Sequence, residues 1–297
     1  MRYALFLGCT IPVRAQNYEL ATRKIGEVLG IEFVDIPTFS CCGFPIKSID
    51  AEESLLVAAR NLAEAEERGL NICTICSACT GVLTEVNNEL KNNPELRNEI
   101  NRKLSEMGKE YKGTVEIKHL ARILLEDVPK EKFKENIKAD LSDIKVCAHY
   151  GCHYLKPTEI YEHFDSAENP QSLDKLIELT GAKSLRYQSK RKCCGGAVLA
   201  VDESLAMSIT KEKLDNIKDV EADAIVLICP FCSIMYESNQ KKIESTYNVS
   251  YNLPVLYYPQ LLGLAFGFNK KDLGFNFNRV KADKLTEKIK KLNAVIK

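Results

Sequence analysis

No stretch of this chain stays apolar long enough to cross a membrane. The longest candidate, residues 253–268, is interrupted by Pro254, Pro259 and Gln260 and falls short of the roughly 18 clean residues a span needs. The first nine residues carry an apolar run of only about five, against roughly 7–15 in a secretory signal, so they read as a buried strand. Net charge is missing as well. Its 41 basic and 41 acidic residues cancel, which removes any global attraction to nucleic acid or to an anionic membrane. There is no flavin or nucleotide fingerprint, and no Cys-x-x-Cys-x-x-Cys-x-x-x-Cys-Pro run of the kind that holds low-potential cubane clusters. These absences predict a cytoplasmic protein with no membrane span, no nucleic-acid partner and no dinucleotide of its own.

What the chain does have is cysteine. Twelve occur in 297 residues, many for a reducing compartment yet too few for a disulfide scaffold. Their order repeats. Cys9, the pair Cys41-Cys42 and the pair Cys76/Cys79 are followed by Cys152, Cys193-Cys194 and Cys229/Cys232, at offsets of 143, 152 and 153. A twofold internal duplication is the plainest cause. Adjacent cysteines point in different directions, so they suit two irons of one cluster better than one mononuclear metal, and the glycine after each pair permits a close backbone approach to an inorganic core.

The rest of the sequence supplies two alternations of strand and helix. In the first half strands are expected at 3–7, 32–36, 70–72 and 115–118, with helices at 14–29, 51–68, 78–92, 95–107 and 120–126. A charged segment, 127–143, links to a second half with strands at 144–148, 184–187, 224–228 and 255–257. Its helices are expected at 172–179, 202–217, 233–246 and 259–266, and a Lys-rich amphipathic helix at 280–296 closes the chain. This pattern predicts an α/β fold of two similar Rossmann-like domains, 1–140 and 141–297, each with a mostly parallel sheet. Most of the cysteines then fall just past a strand, at the carboxyl edge where open α/β sheets form their sites.

Each half therefore offers five candidate ligands: Cys9, Cys41, Cys42, Cys76 and Cys79, then Cys152, Cys193, Cys194, Cys229 and Cys232. Structural zinc, one cubane per half with a spare thiol, inert buried cysteine and a five-thiolate cluster all remain open on residue type alone. Cys73 and Cys147 break the repeat offsets, and both are read as buried non-ligands.

Leu7-Gly8-Cys9, Cys41-Cys42-Gly43-Phe44-Pro45 and Cys76-Ser77-Ala78-Cys79 are followed by His149-Tyr150-Gly151-Cys152-His153, Cys193-Cys194-Gly195-Gly196 and Cys229-Pro230-Phe231-Cys232. Together they resemble the duplicated CCG motif in the B-type subunit of the heterodisulfide reductases of methanogenic archaea, over the whole chain. Components of lactate, glycolate and succinate or fumarate oxidoreductases carry related motifs. The resemblance implies two noncubane [4Fe–4S] clusters, one per half, each on five cysteines. It also implies reduction of the coenzyme M–coenzyme B heterodisulfide to two thiols, each cluster giving one electron. Implied partners are a small cubane-cluster protein of the C type and a flavoprotein of the A type, with a hydrogenase as a further candidate. An electron-relay component of another dehydrogenase, without its own substrate, is the alternative.

His153, beside Cys152, is the candidate proton donor. Lys47, Lys190 and Arg191, close to the two Cys-Cys loops, are candidate contacts for the anionic ends of the implied substrate. His119 reads as a satisfied interior group.

Overall fold

Two four-stranded sheets, each wholly parallel, organise the computed structural model, which describes residues 1–295. The first has the order β2-β1-β3-β4, from β1 (Arg2–Phe6), β2 (Glu32–Val34), β3 (Asn71–Thr74) and β4 (Ile117–His119). The second repeats it as β6-β5-β7-β8, from β5 (Lys145–His149), β6 (Lys183–Ser184), β7 (Ala224–Leu227) and β8 (Val255–Tyr257). The shared order means that each half is the same doubly wound unit, and that the cysteine repeat marks a repeated fold. Both faces of each sheet are covered by the crossover helices. The central strands accordingly read as unbroken apolar runs, and Ala224–Leu227 is buried at every position.

Registers align the carboxyl ends. Phe6 lies opposite Thr74, which lies opposite His119; His149 lies opposite Leu227, which lies opposite Tyr257. Each row is followed by loops that carry cysteines. Helices Ala51–Glu67 and Glu203–Asp219 follow the Cys-Cys loops. Each opens on an aspartate, Asp50 or Asp202, whose carboxylate accepts the amide of the third residue on.

The two sheets' carboxyl ends meet. The Tyr18 hydroxyl donates to Ile228 O at 3.2 Å, and the Tyr18 ring stacks on Tyr257 with centroids 4.1 Å apart. His119 Nε2 donates to the same Ile228 carbonyl at 3.0 Å while its Nδ1 accepts the Ala121 amide. Burial holds this imidazole's pKa down to about 4, so it is a neutral bolt between the halves. Ser77 Oγ donates to Tyr150 O across the same seam.

The expected elements are present with local differences. The helix expected over 14–29 runs Gln16–Leu29, and a separate short helix, Ile11–Arg14, precedes it, because Ala15 leaves the helical region at φ −139°. The expected linker holds a helix, Lys130–Asn136, anchored by the buried Phe133. β6 is only Lys183–Ser184, ahead of most of the expected 184–187. The helix expected over 233–246 is broken by a π-helical turn, Ile234–Ser238. The last helix runs Asp283–Val295, and Ile296 lies outside the described residues. Among the described residues, no helix is long and apolar enough to span a membrane.

Candidate metal centre

The cysteine loops turn on glycines where any side chain would be strained and crowded. Gly43 and Gly195 have φ of +94° and +88°, a region that opposes any side chain. A Cβ on Gly43 would lie 2.6 Å from Ser54 O, and one on Gly195 2.6 Å from Ala206 O. These two carbonyls occupy matching positions in the two helices that follow. The glycine therefore lets the Cys-Cys loop sit directly on its helix, whereas the sequence alone suggested an approach to the inorganic core. Its amide turns back to sulfur: Gly43 N donates to Cys41 Sγ at 3.5 Å and Gly195 N to Cys193 Sγ at 3.3 Å. Gly8 serves a second contact, since a Cβ there would stand 2.9 Å from Cys79 Sγ.

Cys76 caps the helix Ser77–Asn92 in extended conformation, with Cys79 in the first turn; Cys229 and Cys232 take the same places on Pro230–Ser233. Two thiols are thereby aimed past each sheet edge.

The ten candidate thiols form one continuous line. Cys9 neighbours Cys41, then come Cys42, Cys79 and Cys76. Cys76 meets Cys229 of the second half, and the line runs on through Cys232, Cys194 and Cys193 to Cys152. Hydrogen bonds from neighbouring thiols, Cys41 first and Cys79 next, hold Cys42 down to about 4. Cys152 and then Cys194 hold Cys193 down to about 2, and Cys232 with Cys76 keeps Cys229 well below the usual thiol range. In each such pairing one thiol is held down at its neighbours' expense: Cys9, Cys41, Cys76, Cys79, Cys152, Cys194 and Cys232 are all raised. Cys9, Cys152 and Cys193 are exposed at the rim, Cys41 is half-buried, and the other six are buried.

Cys73 and Cys147 sit back within β3 and β5. Burial is what raises the Cys73 thiol, and Cys147 is pushed up to about 12 by burial and then by Asp174; no other cysteine acts on either.

The second set has a histidine companion. A ring nitrogen of His149 and the Sγ atoms of Cys194 and Cys232 all lie within 4.8 Å of one another. His149 Nδ1 is 3.1 Å from Lys213 Nζ, while Nε2 is buried without a partner among the described residues. Lys213 is 0% exposed and also donates to Lys192 O at 2.5 Å and Lys190 O at 3.2 Å. Burial lowers its pKa to about 8, against the opposing pull of the Cys232 and Cys194 side chains, so it remains an ammonium at neutral pH. Sequence reasoning passed over Lys213. Its spacing from Thr210 and Ile217, both buried, puts it on the inward face of its helix, and that was the available signal.

His153 lies between the halves. Its Nδ1 is 3.2 Å from Cys152 Sγ, and its ring packs edge-on against Phe44 of the first Cys-Cys loop. Burial lowers its pKa, with the nearby charges of Cys229 and Lys47 as smaller influences. Lys47 is exposed and paired with Glu85 at 2.5 Å. Arg191 is exposed beside Cys193. Lys190 is held more firmly: it is 2.6 Å from Asp174, donates to Pro170 O at 3.0 Å and lies over the Tyr150 ring.

The sequence profile of the cysteine-rich domain, CCG, matches this chain twice, at residues 3–84 and 146–237. The chain is 38% identical to the B subunit of the ferredoxin/F(420)H(2)-dependent CoB-CoM heterodisulfide reductase of Methanosarcina acetivorans, over 99% of this chain and 98% of that one. It is 34% identical to the 8-methylmenaquinol:fumarate reductase membrane anchor subunit of Wolinella succinogenes, over 95% and 98%. Among solved structures, a hypothetical protein from Helicobacter pylori superposes with a TM-score of 0.79 at 22% identity, covering 94% of this chain and 52% of that one. At that identity the match speaks for the fold alone.

Proposed function

This chain belongs to the family of duplicated CCG cysteine-rich proteins that includes the B-type heterodisulfide reductase subunits, and from that footing we propose that it is the disulfide-reducing component of such a complex. Its substrate in this reading is the mixed disulfide of coenzyme M and coenzyme B. The single observation that carries the proposal is the junction of the two five-thiol sets through Cys76 and Cys229.

Ten thiols in two equal sets of five, joined through Cys76 and Cys229, are a donor set that fits one noncubane [4Fe–4S] cluster per half. An iron–sulfur cluster in each set would supply one electron, and the two together match the two that a disulfide requires. The protein's own groups do the rest. Cys9, Cys152 and Cys193 are exposed, and a small disulfide would approach the line of thiols past them. Lys47 and Arg191, both exposed, would bind its anionic arms. Lys190, committed to Asp174 and Tyr150, would fix the loop that presents Cys193. His153 stands beside Cys152 at the seam, where it could give a proton to a departing thiolate. Each product thiol takes up one electron and one proton. Electrons would arrive from a cubane-cluster protein of the C type, fed in turn by an A-type flavoprotein.

A second reading has one specific support, the full-length likeness to a fumarate reductase component. In it the chain relays electrons and turns over no substrate. Reduction of the mixed disulfide by the isolated, cluster-loaded chain with an artificial one-electron donor decides between them. Turnover supports the reductase; fully reduced clusters with no thiol released would leave only the relay.

A further inference from the structure

The two halves share a fold but not a charge. Helix Ala51–Glu67 corresponds to Glu203–Asp219 and β1 to β5, so Asn61 stands where Lys213 does and Phe6 where His149 does. Asn61 is buried and neutral. Its amide donates to Cys41 O at 2.9 Å and Val57 O at 3.0 Å, and its carbonyl accepts Ser40 N. Lys213 performs the same task for the second loop, through Lys192 O and Lys190 O, but brings an ammonium. That ammonium has three N–H donors and three neutral acceptors, the third being His149 Nδ1, so its donors are all used while its charge is not cancelled. Because Nδ1 accepts, the imidazole proton must sit on Nε2, the buried nitrogen with no partner among the described residues. Phe6, packed edge-on to Phe39, offers the first set nothing comparable.

We propose that Lys213 and His149 act as a cation–imidazole pair that makes the C-terminal iron–sulfur site the more readily reduced of the two. A buried positive charge and an N–H donor both favour the more negative, reduced state of a cluster, and the low-dielectric interior leaves them little screened. Electrons within the chain then run from the N-terminal set towards the C-terminal set. Lys213 and His149 are positioning residues in this scheme; neither meets the substrate. The inference rests on the reading of the ten thiols as two cluster sites.

The test is an EPR-monitored redox titration of the intact, anaerobically purified chain, preceded by iron and sulfide analysis. Two midpoints are expected, and the higher should be the one retained when Cys42→Ala removes the N-terminal cluster. Lys213→Met should lower that midpoint by at least a tenfold change in the reduction equilibrium, about 59 mV for one electron, and leave the other in place. His149→Phe, which copies the first half, should lower it less and abolish an exchangeable-proton coupling seen by pulsed EPR in the parent. Equal midpoints, the reverse order in the parent, or an equal shift of both clusters in Lys213→Met would overturn the proposal while leaving the cluster assignment intact. A parent chain without iron and sulfide would bring down the assignment and the proposal together.

Discussion

At the scale of single residues, the line of thiols separates the ten candidate ligands from Cys73 and Cys147. Cys42 and Cys194 each sit between two other candidate thiols, whereas Cys73 and Cys147 are perturbed by no other cysteine. Cys42→Ala or Cys194→Ala should therefore halve the iron content, and Cys73→Ala or Cys147→Ala should leave it unchanged. Loss of a cluster in Cys73→Ala but not in Cys76→Ala would show that the ligand set is misassigned. The exposed cations make a separate prediction. Lys47→Gln and Arg191→Gln should raise the Michaelis constant for the anionic disulfide roughly ten- to a hundredfold, the size of a charge-assisted contact, with both clusters retained. Unaltered Michaelis constants in both variants would remove these residues from substrate binding.

Individual elements show where the second half has departed from the first. Its Cys-x-x-Cys helix does not run on as Ser77–Asn92 does but passes through the π turn Ile234–Ser238, a feature often found at functional sites. Glu237 within it is buried, accepting Arg279 N at 2.9 Å and the Ser233 hydroxyl at 3.2 Å. Burial raises its pKa from 4.5 to about 7 despite those bonds. Between those values the folded chain holds a proton that the unfolded chain has released, so stability falls as pH rises through this window. The full loss, about 3 kcal/mol at most, is reached above pH 7. Glu237→Gln should thus stabilise the protein at pH 8 and change little at pH 4. Denaturation of the variant and parent at both pH values checks this, and a pH-independent difference would contradict it.

Much of this element order was legible in the sequence. Strands and helices could be read because buried parallel strands are short apolar runs, and Gly30, Gly69 and Gly181 stop helices in positive φ. The cysteine sets were legible because their spacing repeats. The π turn was not, since one extra residue in a helical turn leaves the apolar period nearly intact. Nor was the engagement of Lys190 with Asp174, because the two meet only through the tertiary fold. Lys213 was hidden for a related reason: a lysine is read as exposed by default, and only its three acceptors show why it is not.

For the whole molecule, duplication is the organising fact. Two copies of one doubly wound unit meet edge to edge through Tyr18, His119, Ser77 and Phe44, which brings ten thiols from opposite ends of the sequence into a single line. The central claim is that this line holds two iron–sulfur clusters, and the most direct test is metal and acid-labile sulfide analysis of the anaerobically purified chain. About eight irons and eight sulfides per chain are expected, on the order of four of each per five-thiol set. Stoichiometric zinc without sulfide would contradict it.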